Sequence, residues 1–139
     1  MKTLLICILL STPHFMAHGQ TIQADNYESI GYIKPDGTIQ NSSLATIGYI
    51  KANGTIQNSN YSTIGYIKRD GTIQNKQRAT VGYVKSDGTV QDRRLSTIGY
   101  IRDDGKVLNS SYKTIGYAEG VKKEWAAVVL FFFRFKIEN

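Results

Sequence analysis

A glycine followed by a tyrosine recurs every 17 residues along most of this chain, at Gly31, Gly48, Gly65, Gly82, Gly99 and Gly116. A second glycine series with the same period runs through Gly37, Gly54, Gly71, Gly88 and Gly105, so that eleven of the 13 glycines sit on one grid. The unit reads T-I-G-Y-I-K-x-D-G-T-I-Q-N followed by four variable residues. A unit this short is one supersecondary element. It cannot cover its own apolar face, so the copies must stack or ring together to make a core.

Each unit reads as a β-hairpin. Its first strand is Ile30-Gly31-Tyr32-Ile33-Lys34 and its second Thr38-Ile39-Gln40, with Lys34-Pro35-Asp36-Gly37 between them. Asp-Gly or Asn-Gly between β-branched segments is a strong hairpin signal. Proline and aspartate suit the central positions of a type I turn, and glycine then takes a left-handed bulge position. That loop pairs Lys34 with Thr38, Ile33 with Ile39 and Tyr32 with Gln40. A two-residue turn would put the two isoleucines on opposite faces, because side chains alternate with period two. One face then carries Gly31, Ile33, Ile39 and Asn41, and the other Ile30, Tyr32, Lys34, Thr38 and Gln40. Either face could line a common axis.

The internal copies separate core from surface. Ile33, Ile50, Ile67, Val84 and Ile101 change only between isoleucine and valine, as do Ile39, Ile56, Ile73, Val90 and Val107. The set Ile47, Ile64, Val81, Ile98 and Ile115 does likewise, and all three sets are expected in a packed interior. Ser43, Asn60, Gln77, Arg94 and Ser111 share one slot, which is expected to face solvent.

The two ends are incomplete units. Thr21-Ile22-Gln23 is a second strand without its first, and Thr114-Ile115-Gly116-Tyr117 is a first strand whose turn has become Ala118-Glu119-Gly120-Val121. Pairing these orphans would close a ring and remove its edges. Before them, Lys2, the apolar run Leu4 to Leu10, and the small residues Ala17 and Gly19 form a secretory signal pattern with a cut before Gln20. The expected organisation is a signal over 1–19, the repeat domain over 20–122, and an apolar closing strand and tail over 123–139. The tail, Trp125 to Phe133, is too short to span a bilayer as a helix. Its β-branched and aromatic content favours a closing or plugging strand, against a segment that contacts a membrane or partner.

The units TIGYIKANGTIQNSNYSTIGYIKRDGTIQN and the ending TIGYAEGVKKEWAAVVLFFF closely resemble the bacterial five-fold β-flower proteins, over about residues 21 to 133. The resemblance implies an all-β fold, a cyclic array of five 17-residue β-hairpin repeats around a central axis. The decayed sixth unit leaves a pseudo-six-fold ring as the competing architecture. No site residues come with the resemblance.

Function classes are narrowed by what is missing. Cys7, His14 and His18 are the only cysteine and histidines, and all precede the expected cleavage point. A mature chain would therefore lack thiol and imidazole chemistry, and no catalytic residue, metal ligand or cofactor is assigned. Asp36, Asp70, Asp87 and Asp104 share their slot with Asn53, which points to a turn role rather than to metal or acid–base chemistry.

Two repeated sets remain as candidate binding residues. Tyr32, Tyr49, Tyr66, Tyr83, Tyr100 and Tyr117 could form a stacking surface for sugars, or simply pack between hairpins. Lys34, Lys51, Lys68, Lys85 and Arg102 could hold a polyanion, or form a solvated basic rim. The net charge of +6, or +5 without Lys2, suits anionic envelope polymers. Nucleic acid is not expected, since no recognised motif is present. The expectation is an exported, non-enzymatic module that binds a glycan or other anionic envelope component, periplasmic, surface-located or released. The alternative is a structural protein of the envelope that docks through its apolar C-terminal tail.

Overall fold

The computed structural model describes residues 20–133 and 135, and the expected signal over 1–19 lies outside them. Twelve short antiparallel strands close into one barrel. They are β1 (Gln20–Ala24), β2 (Ser29–Ile33), β3 (Thr38–Asn41), β4 (Thr46–Ile50), β5 (Thr55–Asn58) and β6 (Thr63–Ile67). They continue as β7 (Thr72–Asn75), β8 (Thr80–Val84), β9 (Thr89–Asp92), β10 (Thr97–Ile101), β11 (Lys106–Asn109) and β12 (Thr114–Tyr117). Five hairpins of the repeat are continuous, from β2-β3 to β10-β11. A sixth ribbon forms where β1 pairs with β12, Gln23 opposite Tyr117 and Ala24 opposite Gly116. The orphan ends thus join as expected. Closure is five-fold in continuous hairpins and six-fold in ribbons.

The hairpin register follows the three-residue loop. Ile33 lies opposite Ile39 and Tyr32 opposite Gln40. The Lys34 N–H donates to the Thr38 carbonyl at 2.8 Å and the Gly37 N–H to the Lys34 carbonyl at 2.9 Å, while Gly37 has φ 92°. Glycine is required here twice over. Its carbonyl accepts the Ile50 N–H of the next hairpin at 2.8 Å, and a Cβ would collide with the Ile50 carbonyl oxygen. Each Asp or Asn of this turn accepts the N–H two residues on, from Asp36 Oδ1 with Thr38 to Asp104 Oδ1 with Lys106. That is the turn role the Asp/Asn exchange implied.

The glycine and isoleucine face lines the axis. Ile33, Ile39, Ile50, Ile56, Ile73, Val84, Val90, Ile101 and Val107 are buried in one cluster. Each contributes roughly 1.5–3 kcal/mol relative to exposure. The third apolar set departs from expectation. Ile47, Ile64, Val81 and Ile98 only pack against the core's margin, and Ile115 is 40% exposed. Between hairpins the register skips this residue: Ile39 faces Gly48, but Gln40 faces Thr46. Ile47 is the extra residue of a bulge, turned out of the inward alternation. The slot of Ser43, Asn60, Gln77, Arg94 and Ser111 is exposed throughout, as expected.

The tail corrects a second expectation. Trp125 to Phe133 is not a strand. Lys123–Ala127 form a short α-helix, α1, continued by a π-helical turn over Val128–Phe132. The reason is the closure itself. With β1 paired to β12, no strand edge remains to accept a thirteenth strand, so a segment inside the ring must satisfy its own backbone groups. Helical bonds do this, as from the Ala126 N–H to the Lys122 carbonyl at 3.0 Å and from the Phe133 N–H to the Val128 carbonyl at 2.9 Å.

The plugging role does hold. Ala126, Ala127, Val128 and Val129 are buried within the isoleucine cluster. Below them, each aromatic seats on one Gly-Tyr glycine: Phe131 on Gly99, Phe132 on Gly82, Phe133 on Gly65 and Phe135 on Gly48. The absent side chain of each glycine is the space that a ring of the tail fills.

Candidate functional site

The wall of the barrel carries the tyrosine set on its outer face, all six residues half-buried. Most have a partner from the second turn of the repeat, at the end of the barrel opposite the Lys-x-Asp-Gly turns. Tyr49 stacks on Tyr61 with centroids 4.9 Å apart, Tyr100 on Tyr112 at 4.7 Å, and Tyr117 on Tyr27 at 4.4 Å across the chain closure. Arg78 lies over the Tyr66 ring at 4.0 Å. The same slot holds Leu44 and Leu95 in the two remaining units. The expected packing between hairpins is therefore a different arrangement, with tyrosine and turn residue forming a two-layer station on the wall.

This second slot is the feature that sequence reasoning missed. Tyr27, Leu44, Tyr61, Arg78, Leu95 and Tyr112 are also spaced by 17, and three of the nine tyrosines fall there. Its mixed composition hid it beside the more uniform tyrosine grid. All six residues adopt left-handed backbone, with φ between 65° and 70°. For a bulky side chain that conformation costs about 1–2 kcal/mol. The turn around it is well fixed. Asn41 Oδ1, for instance, accepts the N–H groups of Ser43 and Ala45, both at 3.0 Å, and Asn58, Asn75, Asp92 and Asn109 repeat the pattern. Even so, Tyr27, Leu44, Tyr61, Leu95 and Tyr112 are 61–67% exposed.

The tyrosine hydroxyls are paired as well. Tyr49 donates to Tyr61 at 3.2 Å and Tyr100 to Tyr112 at 3.0 Å. Those bonds hold the Tyr49 and Tyr100 phenols above their usual range, and the Tyr27 hydroxyl does the same for Tyr117.

The basic set lies at the other end. Lys51, Lys68, Lys85 and Arg102 are exposed and Lys34 half-buried, each opening a Lys-x-Asp-Gly turn. In the sixth ribbon the position falls to Glu119, so this repeat position holds five cations and one carboxylate, and the turn aspartates Asp36, Asp70, Asp87, Asp103 and Asp104 partly neutralise the rim. The structure brings the two predicted sets together at one station, where the Arg102 guanidinium carbon lies 5.6 Å from the centre of the Tyr100 ring. A groove of about 580 Å³ between β11 and β12 also joins Arg102 and Lys106 to Tyr112 at one point on the wall. The Asp36, Asp70 and Asp87 carboxyls are held below their ordinary range, chiefly by the backbone N–H of Thr38, Thr72 and Thr89. Among the described residues, no three His, Cys, Asp or Glu side chains converge as a metal site, and no helix is long and apolar enough to cross a membrane.

No curated protein and no solved structure matches the chain. The model of one family, described as 5-fold beta-flower protein, matches residues 19–134, which takes in the whole barrel and the plug as far as Phe133. The chain belongs to the 5-fold beta-flower protein family.

Proposed function

We propose that this protein is an exported, non-catalytic ring that binds glycans of the cell envelope through the tyrosine stations on its wall. The observation that carries the reading is the left-handed slot. Six bulky residues occupy a backbone conformation that glycine or asparagine would adopt at lower cost, all six are exposed, and three of them, Tyr27, Tyr61 and Tyr112, are aromatic. Stacking on the wall tyrosine returns only about 0.5–1.5 kcal/mol. The fold does not need aromatic faces directed at water; a sugar does. The apolar face of a pyranose can lie on the outer ring of a station while its hydroxyls meet the phenol oxygens and neighbouring amides.

Stations repeated around the wall suit a polymer, since several weak contacts made by one chain add through effective concentration. The basic rim favours acidic polymers at low salt. The alternative, docking through the apolar tail, has less support, because among the described residues Ala126 to Val129 are enclosed and Phe131 to Phe133 face the wall's glycines.

The test is a glycan array read at low and high salt with the parent protein and with Tyr61→Ala and Tyr112→Ala. Binding that falls several-fold in each variant supports the reading. Absence of binding at either salt, or binding indifferent to both substitutions, overturns it.

A further inference from the structure

The plug does not enter the barrel on its axis. α1 contacts β8 and β10, and Lys123 pairs with Asp103 at 2.6 Å and reaches the Ser86 carbonyl at 3.5 Å. It therefore leans on the turns of Ser86 and Asp103. On the opposite side the mouth stays open as a cleft of about 590 Å³, within the range of small-ligand sites. Two burial differences mark the opening. Of Ile33, Ile50, Ile67, Val84 and Ile101, only Ile67 is not buried, and of the five turn glycines only Gly54 is not. Both line the cleft.

The chemistry of the cleft is asymmetric in the same sense. The variable residue of the Lys-x-Asp-Gly turn runs Pro35, Ala52, Arg69, Ser86, Asp103 around the mouth. Its acidic member meets Lys123 on the closed side, and its basic member, Arg69, faces the open side with Lys51, Lys68 and Lys122. Among the described residues none of these four cations makes an ion pair. The two carboxylates present are Asp36 and Glu124, so the lining carries 4 − 2 = +2. Asp36 is already engaged by the Thr38 N–H. Trp125, half-buried, supplies a flat apolar wall, with Lys122 Nζ 4.8 Å from its ring. Asn53 spends its Oδ1 on the Thr55 N–H, which leaves its amide nitrogen to donate.

We propose that this cleft is a binding site for an acidic sugar. The pyranose ring lies against Trp125, its carboxylate meets Arg69 and Lys68, and its hydroxyls meet Asn53 and Glu124. Net positive charge selects the acid, the indole selects a ring with an apolar face, and the mixed donors and acceptors select hydroxyls. The site is separate from the tyrosine stations, whose turns are at the other end of the barrel, and it stands whether or not those stations bind.

Trp125 is the only tryptophan, so indole emission reports this cleft alone. The experiment titrates the full protein with glucuronate, glucose, acetate and inorganic phosphate, and repeats the glucuronate series with Arg69→Glu, Lys68→Glu and Tyr61→Ala. Arg69 and Lys68 are exposed turn residues, and circular dichroism verifies that their variants fold. The expected result is a saturable shift with glucuronate, at least about tenfold weaker with glucose, acetate or phosphate. Arg69→Glu and Lys68→Glu should each weaken it roughly tenfold, and Tyr61→Ala should leave it unchanged. No saturable shift, an equal response to glucose or to the simple anions, indifference to both charge reversals, or sensitivity to Tyr61→Ala would each overturn the proposal.

Discussion

Adding one methyl group at Gly99 tests whether the tail aromatics and the wall glycines form a single packed unit. A Cβ on Gly99 would lie 2.5 Å from Phe131 Cζ, 2.6 Å from Phe131 Cε1 and 2.5 Å from the Leu108 carbonyl oxygen. Gly116 occupies the same repeat position without an aromatic. Its Cβ would lie 2.6 Å from the Gln23 carbonyl oxygen, and the next atom is 3.8 Å away. The backbone contact is nearly matched, so the difference between the two alanine variants isolates Phe131.

Overpacking against a ring costs about 1–3 kcal/mol. Both alanines meet a backbone carbonyl oxygen that must shift, so Gly116→Ala should destabilise by about 1–3 kcal/mol, and Gly99→Ala, which also meets Phe131, by about 1–2 kcal/mol more. Phe131→Ala alone should cost roughly 2–3 kcal/mol, below the value for a fully buried phenylalanine because the residue is only half-buried. In the Phe131→Ala background the penalty at Gly99 should shrink to that at Gly116, a coupling of about 1–2 kcal/mol. Urea denaturation of the four members of the cycle measures it. An equal cost of Gly99→Ala with and without Phe131 would refute the packing argument.

Three further outcomes follow from the same structure. Deleting residues 123–139 should abolish cooperative unfolding and near-ultraviolet dichroism, because the buried Ala126–Val129 segment fills the lumen; an unchanged unfolding midpoint would show the ring to be self-sufficient. Asp36, Asp70 and Asp87 have carboxyls held below the ordinary value of 3.8 in the folded state, so the stability they supply is present above that value and lost as pH falls through the lowered ones. Replacing all three with asparagine, which already serves at Asn53 with the same bond to Thr55, should flatten the acid limb of a melting-temperature profile, and an unaltered limb would assign the loss elsewhere. Tyr49, Tyr100 and Tyr117 should ionise later than a free phenol in a spectrophotometric titration, and Tyr61→Phe should bring one of them back toward the ordinary value of 10.0.

Hairpins, register and closure were all legible in the sequence, because each depends on local chemistry repeated in register. The Asp-Gly turn set the loop, the loop set which isoleucines share a face, and the unmatched strands at Thr21 and Thr114 indicated the closing pair. The inward direction of Gly31 and Ile33 was not legible. It depends on what fills the centre, and the filler is a remote segment. The tail was misread for a related reason. Its residues suit a strand, but no edge was left for one, and that is a property of the closed ring rather than of Trp125 to Phe133. Ile115 was misplaced because a bulge shifts facing without altering composition.

The candidate binding surface was half legible. The Gly-Tyr grid stood out, but the stacking slot of Tyr27, Tyr61 and Tyr112 was masked by Leu44, Arg78 and Leu95 at equivalent positions. The mouth cleft had no repeat signature at all. It exists because α1 breaks the symmetry by leaning on Ser86 and Asp103.

The central claim is that this ring of hairpins is filled by the chain's own C-terminal aromatics. Nuclear Overhauser contacts report it most directly. In the purified protein, the ring protons of Phe131, Phe132 and Phe133 should show strong cross-peaks to the α-protons of Gly99, Gly82 and Gly65, in that order. Cross-peaks from these rings to solvent-facing residues, with none to the three glycines, would contradict it.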